Sequence, residues 1–383
     1  MSPNGGADLS VIIVNYNVAP LVLQAVASLQ RQKFAGQDGN EGRLEILVVD
    51  NASSAEDVAR LQTLPPQVLV VRNERNVGFA VANNQGIARA SGRYLCFLNP
   101  DTKALDGALD ALLQHLYRHP DVGAVGPRIW ADDDRAILLP PADPPTLAFI
   151  LSSLVGGVIP PLAKRHGLAW YRYATGFWRS RTPLSVTMLS GACIVTPRAV
   201  VDRVGGFDPQ YFLYYEDADW CRRVRGLGLR LVHLPNAEIV HYYNQSAKPD
   251  PRGAWGHAFR SRERFVRVHY GRIGTLLYKT AQRLSRRGAG SGWGSSESRH
   301  VIDLGRPDAP PRFRAVDDAA PRELLVQISY DLLFVPSAAA FVRQAEFQLP
   351  PAVWERMQPG RYYTRMIDPE TLSPIALWSW EKA

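Results

Sequence analysis

An α/β protein with a mostly parallel sheet and a small C-terminal β domain is expected from three observations. Apolar runs of strand length alternate with helical patterns through the first third of the chain, each run ends in a polar loop, and residues 312–383 alternate apolar and polar positions with few helix signals. Residues 9–14 (LSVIIV) and 44–49 (LEILVV) are uninterrupted enough to be buried strands, and between them Pro20 opens a helical pattern through Leu21, Ala25, Val26 and Leu29. A helix, a strand at 68–71, a helix at 79–90 and a strand at 94–98 (YLCFL) follow. Short connections in such an alternation predict parallel strands covered by helices on both faces. Ligands then bind beyond the carboxyl ends of the strands. Those ends carry NYN (15–17), DNASS (50–54) and NPDT (99–102). Any one of them is how a strand turns into a loop; three in register, each with Asn or Asp, mark where chemistry is expected.

Residues 140–161 are proline-rich, and residues 147–163 (LAFILSSLVGGVIPPLA) carry no charge. Gly156, Gly157, Pro160 and Pro161 interrupt the run, which is short for a membrane span. It reads as an apolar cover for the site or, more plainly, as buried core. A strand-like TMLSGACIVT (187–196), the turn GGFDPQYF, a helix start at YYEDADW and a strand pair around LRLVHL and AEIVHY complete a first domain over 1–250. Residues 251–287 hold ten Lys and Arg against one acid, Glu263, so this segment's +9 accounts for the net charge of +8. Val266, Tyr270, Ile273, Leu277 and Leu284 recur there at helical spacing, as in an interfacial helix or one packed on the core, and Gly271 and Gly274 weaken it. Residues 288–311 read as a flexible linker, and 312–383 as a small β-rich domain.

Several classes are excluded. The first residues show no basic patch followed by an apolar run, so no secretory signal is read, and Cys96, Cys193 and Cys221 form no disulfide pattern. A cytoplasmic protein is expected, in which the sequons at Asn51 and Asn244 carry no meaning. No GxxxxGK[ST], no GxGxxG after the first strand, no HExxH and no zinc-spaced cysteine pair occurs. A bound nucleotide must be held by side chains and a metal.

In YYEDADWCRR (214–223) acids in a first helical turn are favoured by the free N–H groups there, which leaves the preceding aromatics unexplained. A catalytic base beside an aromatic-walled sugar site explains both. Asp101 at a strand end supplies an oxygen for a hard cation, and His241 at another strand end a second ligand; a turn and a hydrogen-bonded histidine are the plainer readings.

The ordered set SVIIVNYN, EILVVDNAS, NERNVGFAVANNQG, YLCFLNPD, SGACIVTPRAVVDRVGGFDPQYFLYYEDADWCRRVRGLG and VHYYNQS resembles glycosyltransferase family 2, the inverting GT-A class, and within it the rhamnosyltransferase and galactofuranosyltransferase branch. The resemblance spans residues 9–246 and implies a GT-A nucleotide-diphospho-sugar transferase fold. It implies that Tyr16, between Asn15 and Asn17, packs on the nucleobase; that Asp50 accepts from a uracil or thymine imide; and that Arg75, Asn76 and Asn83 line the nucleotide and diphosphate. Asp101 matches the last acid of the metal-binding Asp-x-Asp and His241 a further ligand of Mg2+ or Mn2+. Asp217 matches the base, with Glu216 beside it orienting the acceptor. The first acid of Asp-x-Asp is Asn99 here, which removes one charge from the metal site. Trp220 and Tyr214 or Tyr215 are read equally as stacking on the acceptor sugar or as packing, and Asp219 as pairing with Arg222 or Arg223.

The expected activity is transfer of a sugar, foremost L-rhamnose from dTDP-rhamnose, to a glycan or polyprenyl-linked acceptor in cell-surface polysaccharide synthesis. A UDP-sugar-dependent transferase, a nucleotidyltransferase and an inert glycan-binding protein are the alternatives. No nucleic-acid partner is expected, and peripheral contact with the inner face of the membrane and homo-oligomerisation both fit the pattern.

Overall fold

The computed structural model describes residues 6–156, 159–242, 251–288, 301–315 and 323–383; residues 243–246 of the last motif and the second sequon lie outside them. The chain divides into two compact units, Met1–Ile129 with Ser180–His269, and Trp130–Arg179 with Tyr270–Ala383. The excursion 130–179, expected inside the first domain, therefore clusters with the C-terminal strands. Among the described residues no helix is long and apolar enough to cross a membrane.

The first unit runs β1 (Leu9–Asn15), α1 (Ala19–Gln30), β2 (Leu44–Asp50), α2 (Ala55–Leu61), β3 (Leu69–Arg72), α3 (Phe79–Arg89), β4 (Tyr94–Leu98), β5 (Thr102–Ala104), α4 (Ala108–Arg118) and β6 (Val122–Trp130). After the excursion, which carries α5 (Leu147–Val155) and α6 (Pro160–Arg179), it continues through β7 (Leu184–Val186), β8 (Cys193–Pro197), α7 (Arg198–Val204), α8 (Glu216–Gly226) and β9 (Arg230–His241). The sheet order is β3-β2-β1-β4-β8-β6-β9-β5, with β7 beside β9. The first four strands are parallel, as the alternation predicts. β8 enters antiparallel to β4, with Cys193 opposite Leu98, so its beginning lies at the carboxyl end of β4.

Every residue of β1 is buried, as a central parallel strand requires. The strand alternates its faces: Leu9, Val11 and Ile13 pack with Val22, Val26 and Leu29 of α1 and Leu109, Leu112 and Leu113 of α4, whereas Val14 meets Val49 and Ala82 of α3. Helix α3 lies close on this second face because Gly86 has no side chain; a Cβ there would fall 2.4 Å from Ile12 Cγ2.

α9 (Pro251–Gly288) begins in the first unit and ends in the second, and its helical path is broken at Gly271, where φ is 62°. In the second unit β10 (Val301–Asp303), β12 (Leu324–Ser329), β13 (Ala338–Val342), β15 (Gly360–Ile367) and β16 (Pro374–Lys382) form a sheet in the order β10-β16-β15-β12-β13. β11 (Arg312–Arg314) pairs with β14 (Glu346–Gln348), and α10 (Pro351–Arg356) follows. β10 lies in the stretch whose composition reads as a linker, yet it pairs in parallel with β16. One core joins Phe313, Phe347, Trp354, Tyr362, Trp378 and Trp380. A second packs Trp170, Tyr171, Ala174 and Trp178 of α6 against Leu325, Phe334 and Ile367, and Leu138 exchanges both backbone hydrogen bonds with Ala339, at 2.7 and 2.9 Å. The tryptophan-rich part of α6 is thus buried core of the second unit, whereas in the charge-free run 147–163, read as cover or core, Ile150 and Ala163 are buried and Ile159 and Leu162 are exposed.

Candidate active site

The carboxyl ends of three neighbouring strands lie level: Asp50 pairs with Asn15 on one side and with Arg72 on the other. Asn15 is fully buried, and its amide donates to Asp50 Oδ1 (2.9 Å), Ser53 Oγ (2.9 Å) and Asp57 Oδ2 (2.7 Å). Asp57 in turn accepts from the Ala19 N–H at the start of α1 (2.8 Å). Asn17, at φ 57°, accepts from the Ser54 N–H (2.8 Å) while its own N–H donates to Ser53 Oγ (2.9 Å). Both asparagines, expected to bind substrate, are committed to fastening two loops together. Tyr16 between them is left exposed.

The next loop is held the same way. Asn51 donates to Asn76 Oδ1 (2.7 Å) and its Oδ1 accepts from the Val77 N–H (3.0 Å) and from Asn73 (3.2 Å). Asn76 also accepts from the Gly78 N–H (3.0 Å), and the buried Asn83 turns back onto its own helix through the Phe79 carbonyl (3.0 Å). Asn15, Asn17, Asn76 and Asn83, expected to contact the ligand, all spend side-chain groups on hydrogen bonds that position these loops and α3. Arg75 is exposed and makes no hydrogen bond or ion pair with the described residues, and Asp50 is buried beneath the loop. Ser53, Asp57 and Asn73 were missed by sequence reasoning, although the polar run DNASS signalled the first of them.

A second group gathers at the same edge. β5 pairs with β9 so that Thr102 faces His241, and the Tyr242 N–H donates to the Asp101 carbonyl (2.9 Å). This register brings His241 Nε2 to 3.0 Å from Asp101 Oδ1, both side chains nearly buried, with Asn99 Nδ2 3.4 Å from the same nitrogen. One carboxylate oxygen and one imidazole nitrogen suit Mg2+ or Mn2+, and adjacent ligands of an octahedral ion at about 2.1 Å are themselves about 3.0 Å apart. No cluster of three or more His, Cys, Asp or Glu that could hold a metal occurs among the described residues.

Glu216 and Asp217 open α8, preceded by Tyr214 and Tyr215, both left-handed at φ 67° and 68°. That conformation costs a side-chain-bearing residue about 1–2 kcal/mol. It is held by Arg262 Nε donating to the Tyr215 hydroxyl (2.9 Å), by the Tyr215 ring against Phe265, and by the Asp219 N–H donating to the Tyr215 carbonyl (2.9 Å). Asp217 accepts from the Gly191 N–H (3.1 Å) and the Ala218 N–H (2.8 Å). One residue on, the Ala192 carbonyl accepts from the Asn99 N–H (3.0 Å). A short bonded path thus runs from Asp217 through Gly191 and Ala192 to Asn99 and the Asp101–His241 pair.

Burial pushes the Glu216 carboxyl well up and the neighbouring Asp217 charge adds to it, while its buried Oε2 finds no partner. Burial also raises Asp217, opposed by its backbone N–H bonds. Both carboxyls are thus raised, Glu216 well above its ordinary range, and Asp217 has the larger set of backbone N–H donors to support its anion. Tyr214 is raised by burial and then by the charges of Glu216 and Asp101, which puts its phenol within the influence of both groups.

Asp219 faces away. Its burial would raise it, but hydrogen bonds from His269 (2.8 Å) and Arg223 (2.8 Å) hold it below the ordinary range, consistent with a pairing role. Trp220 takes the packing alternative and not the stacking one: it is fully buried, its indole N–H donates to the Gly205 carbonyl (3.2 Å), and its ring packs against Phe97 and Phe207. No face is open to a sugar. Asn84, missed in the sequence, brackets Phe207 with both ends of its amide (2.7 and 2.9 Å), and the Phe79 N–H donates to the Phe212 carbonyl (2.7 Å). α3 thereby carries the loop that leads to the strained tyrosines.

The sequence model of Glycosyl transferase family 2 matches residues 10–204, more than half of the chain. The chain is a family 2 glycosyltransferase. Over 259 residues this glycosyltransferase is 29% identical to an N-acetylglucosaminyl-diphospho-decaprenol L-rhamnosyltransferase of Mycobacterium tuberculosis, covering 63% of this chain and 78% of the relative. Over 209 residues it is 26% identical to the O-antigen biosynthesis protein RfbC of Myxococcus xanthus, covering 54% of this chain but 15% of that protein. Among solved structures it resembles GalNAc-T7 with UDP, GalNAc and Mn2+, at a TM-score of 0.50 and 18% identity, over 77% of this chain and about half (53%) of that one. That likeness shows the GT-A fold of the glycosyltransferase.

Proposed function

We propose that this glycosyltransferase is an inverting, divalent-metal-dependent enzyme of cell-surface glycan synthesis that moves L-rhamnose from dTDP-rhamnose to a hydroxyl of a lipid-linked acceptor. The observation that carries the mechanism is the bonded path joining Asp217 to the Asp101–His241 pair at one edge of the sheet. The acceptor hydroxyl attacks the anomeric carbon, its proton passes to the Asp217 carboxylate, and the bond to the diphosphate oxygen breaks to release the nucleoside diphosphate. General-base help of this kind is worth roughly 10²–10⁴-fold. A divalent cation held by Asp101 and His241 would neutralise the diphosphate. Base and leaving group lie on opposite sides of the sugar ring, so the configuration inverts. In this reading Tyr16 stacks on the base and Arg75 reaches the phosphates, and the exposure of both side chains supports it.

The named relative from Mycobacterium tuberculosis supports rhamnose and a polyprenyl diphosphate acceptor; a UDP-hexose or UDP-galactofuranose donor is the second reading. Release of nucleoside diphosphate from dTDP-rhamnose with the lipid-linked acceptor, beside a panel of UDP-sugars, tests the choice. Asp217→Asn should lower turnover at least 100-fold with donor affinity unchanged, and chelation should abolish turnover reversibly. Normal turnover in the Asn variant would remove the base assignment.

A further inference from the structure

Beyond the break at Gly271, α9 presents two different sides. Tyr270, Gly274, Tyr278 and Ala281 form the inner seam: the Tyr270 hydroxyl donates to the Pro145 carbonyl (2.9 Å), a Cβ on Gly274 would lie 3.6 Å from Leu147 of α5, and Tyr278 and Ala281 are buried. On the outer side Ile273, Leu276, Leu277 and Leu284 are 76, 65, 46 and 43% exposed. At 100° per residue these four fall on one stripe, and the exposed Arg272, Lys279 and Arg283 line the flank beside it. No acid occurs between 264 and 288. The start of α6, in the same unit, repeats the chemistry with exposed Ile159 and Leu162 next to exposed Lys164 and Arg165.

Four exposed aliphatic side chains on one stripe of one helix are more than scattered surface apolar residues. A nucleic acid would neutralise the cations but offers nothing to the aliphatic stripe. A second copy of this helix would cover the stripe but bring no carboxylate from residues 264–288 to the cations. A bilayer with negative headgroups supplies both partners at once. We propose that the second half of α9 is an interfacial anchor lying in the plane of an anionic membrane, with Ile273, Leu276, Leu277 and Leu284 at the acyl boundary and Arg272, Lys279 and Arg283 on lipid phosphates.

Flotation of the full chain with phosphatidylcholine vesicles, with and without about 30 mol% phosphatidylglycerol, reads this directly. Binding is expected to the anionic vesicles, at least tenfold weaker to the neutral ones, and to fall as salt rises from about 0.1 to about 0.5 M. The I273S/L276S/L277S variant should lose at least tenfold in binding at an unchanged melting temperature, since the three positions are exposed. R272E/K279E/R283E should abolish the preference for anionic lipid. Failure of the unaltered chain to float, or equal flotation of the serine variant, overturns the proposal. So does a serine variant that turns a dimer into a monomer on size exclusion while floating as before, which would identify a second copy as the occupant. No sugar donor enters the measurement, so its failure leaves the transferase reading untouched.

Discussion

Asp217 and Glu216 are neighbours in sequence with different surroundings, and the difference lies in their hydrogen bonds. Asp217 receives two backbone N–H groups, whereas Glu216 is sealed with one oxygen unpartnered. Because Glu216 is raised well above the ordinary value near 4.3, the native state holds a proton that the unfolded chain gives up. Stability is therefore highest below about pH 4.3 as far as this group is concerned, and declines as pH rises from there through the raised native value. Glu216→Gln keeps the neutral form, and urea melts of this variant should lack that decline, while the acid limb of kcat/KM should stay in place if Asp217 is the base as proposed. A limb that moves with Glu216 would show the two carboxyls exchanging roles. The acids were legible in the sequence because three carboxylates after two tyrosines exceed what a helix start needs. Trp220 was not: its position beside them suggests a ligand, but only the phase of α8 against Phe97 and Phe207 reveals that it points inward.

Helix α3 does more than cover the sheet, since Asn84 grips Phe207 and the first N–H of the helix holds Phe212. Asn84→Ala removes both bonds of the amide and should lower stability by about 1–3 kcal/mol, and turnover should fall further than donor affinity because the acceptor loop, not the nucleotide side, loses its support; thermal melts and kcat against KM measure this. Strand β9 carries a second titration. Burial first, and then the charge of Arg128, lowers His233 from 6.5 to about 3. Unfolding at mildly acid pH therefore takes up a proton, and stability falls as pH drops from 6.5 toward 3, by about 2 kcal/mol between pH 6.5 and 5. His233→Gln should flatten that slope in urea melts. β1, β2 and β4 were readable from their apolar runs, and the polar strand ends marked the loops that gather at the carboxyl edge of the sheet. The side-chain lattice of Asn51, Asn73 and Asn76 was not, because an asparagine that holds a loop and one that holds a ligand are the same letter in the same motif.

The two units were not separable in sequence, because the second is assembled from distant segments. Nothing local in LAFILSSLVGG or in the helix after it says that Trp170 and Trp178 belong against Leu325, Phe334 and Ile367, and β10 hides in a stretch with the composition of a linker. Truncation after residue 311 would strip α6 of its partners. The expected outcome is a chain that aggregates or is cleaved within 130–179 by limited proteolysis, whereas deleting 130–179 together with the C-terminal segment should restore solubility.

The pairing of Leu138 with Ala339 has a temporal side as well. About 200 residues separate them, so at about 5–20 residues per second the ribosome takes roughly 10–40 s to deliver the second after the first. Throughout that interval the nascent excursion presents its tryptophans without the strands that cover them, which makes it a client for holdase chaperones during synthesis.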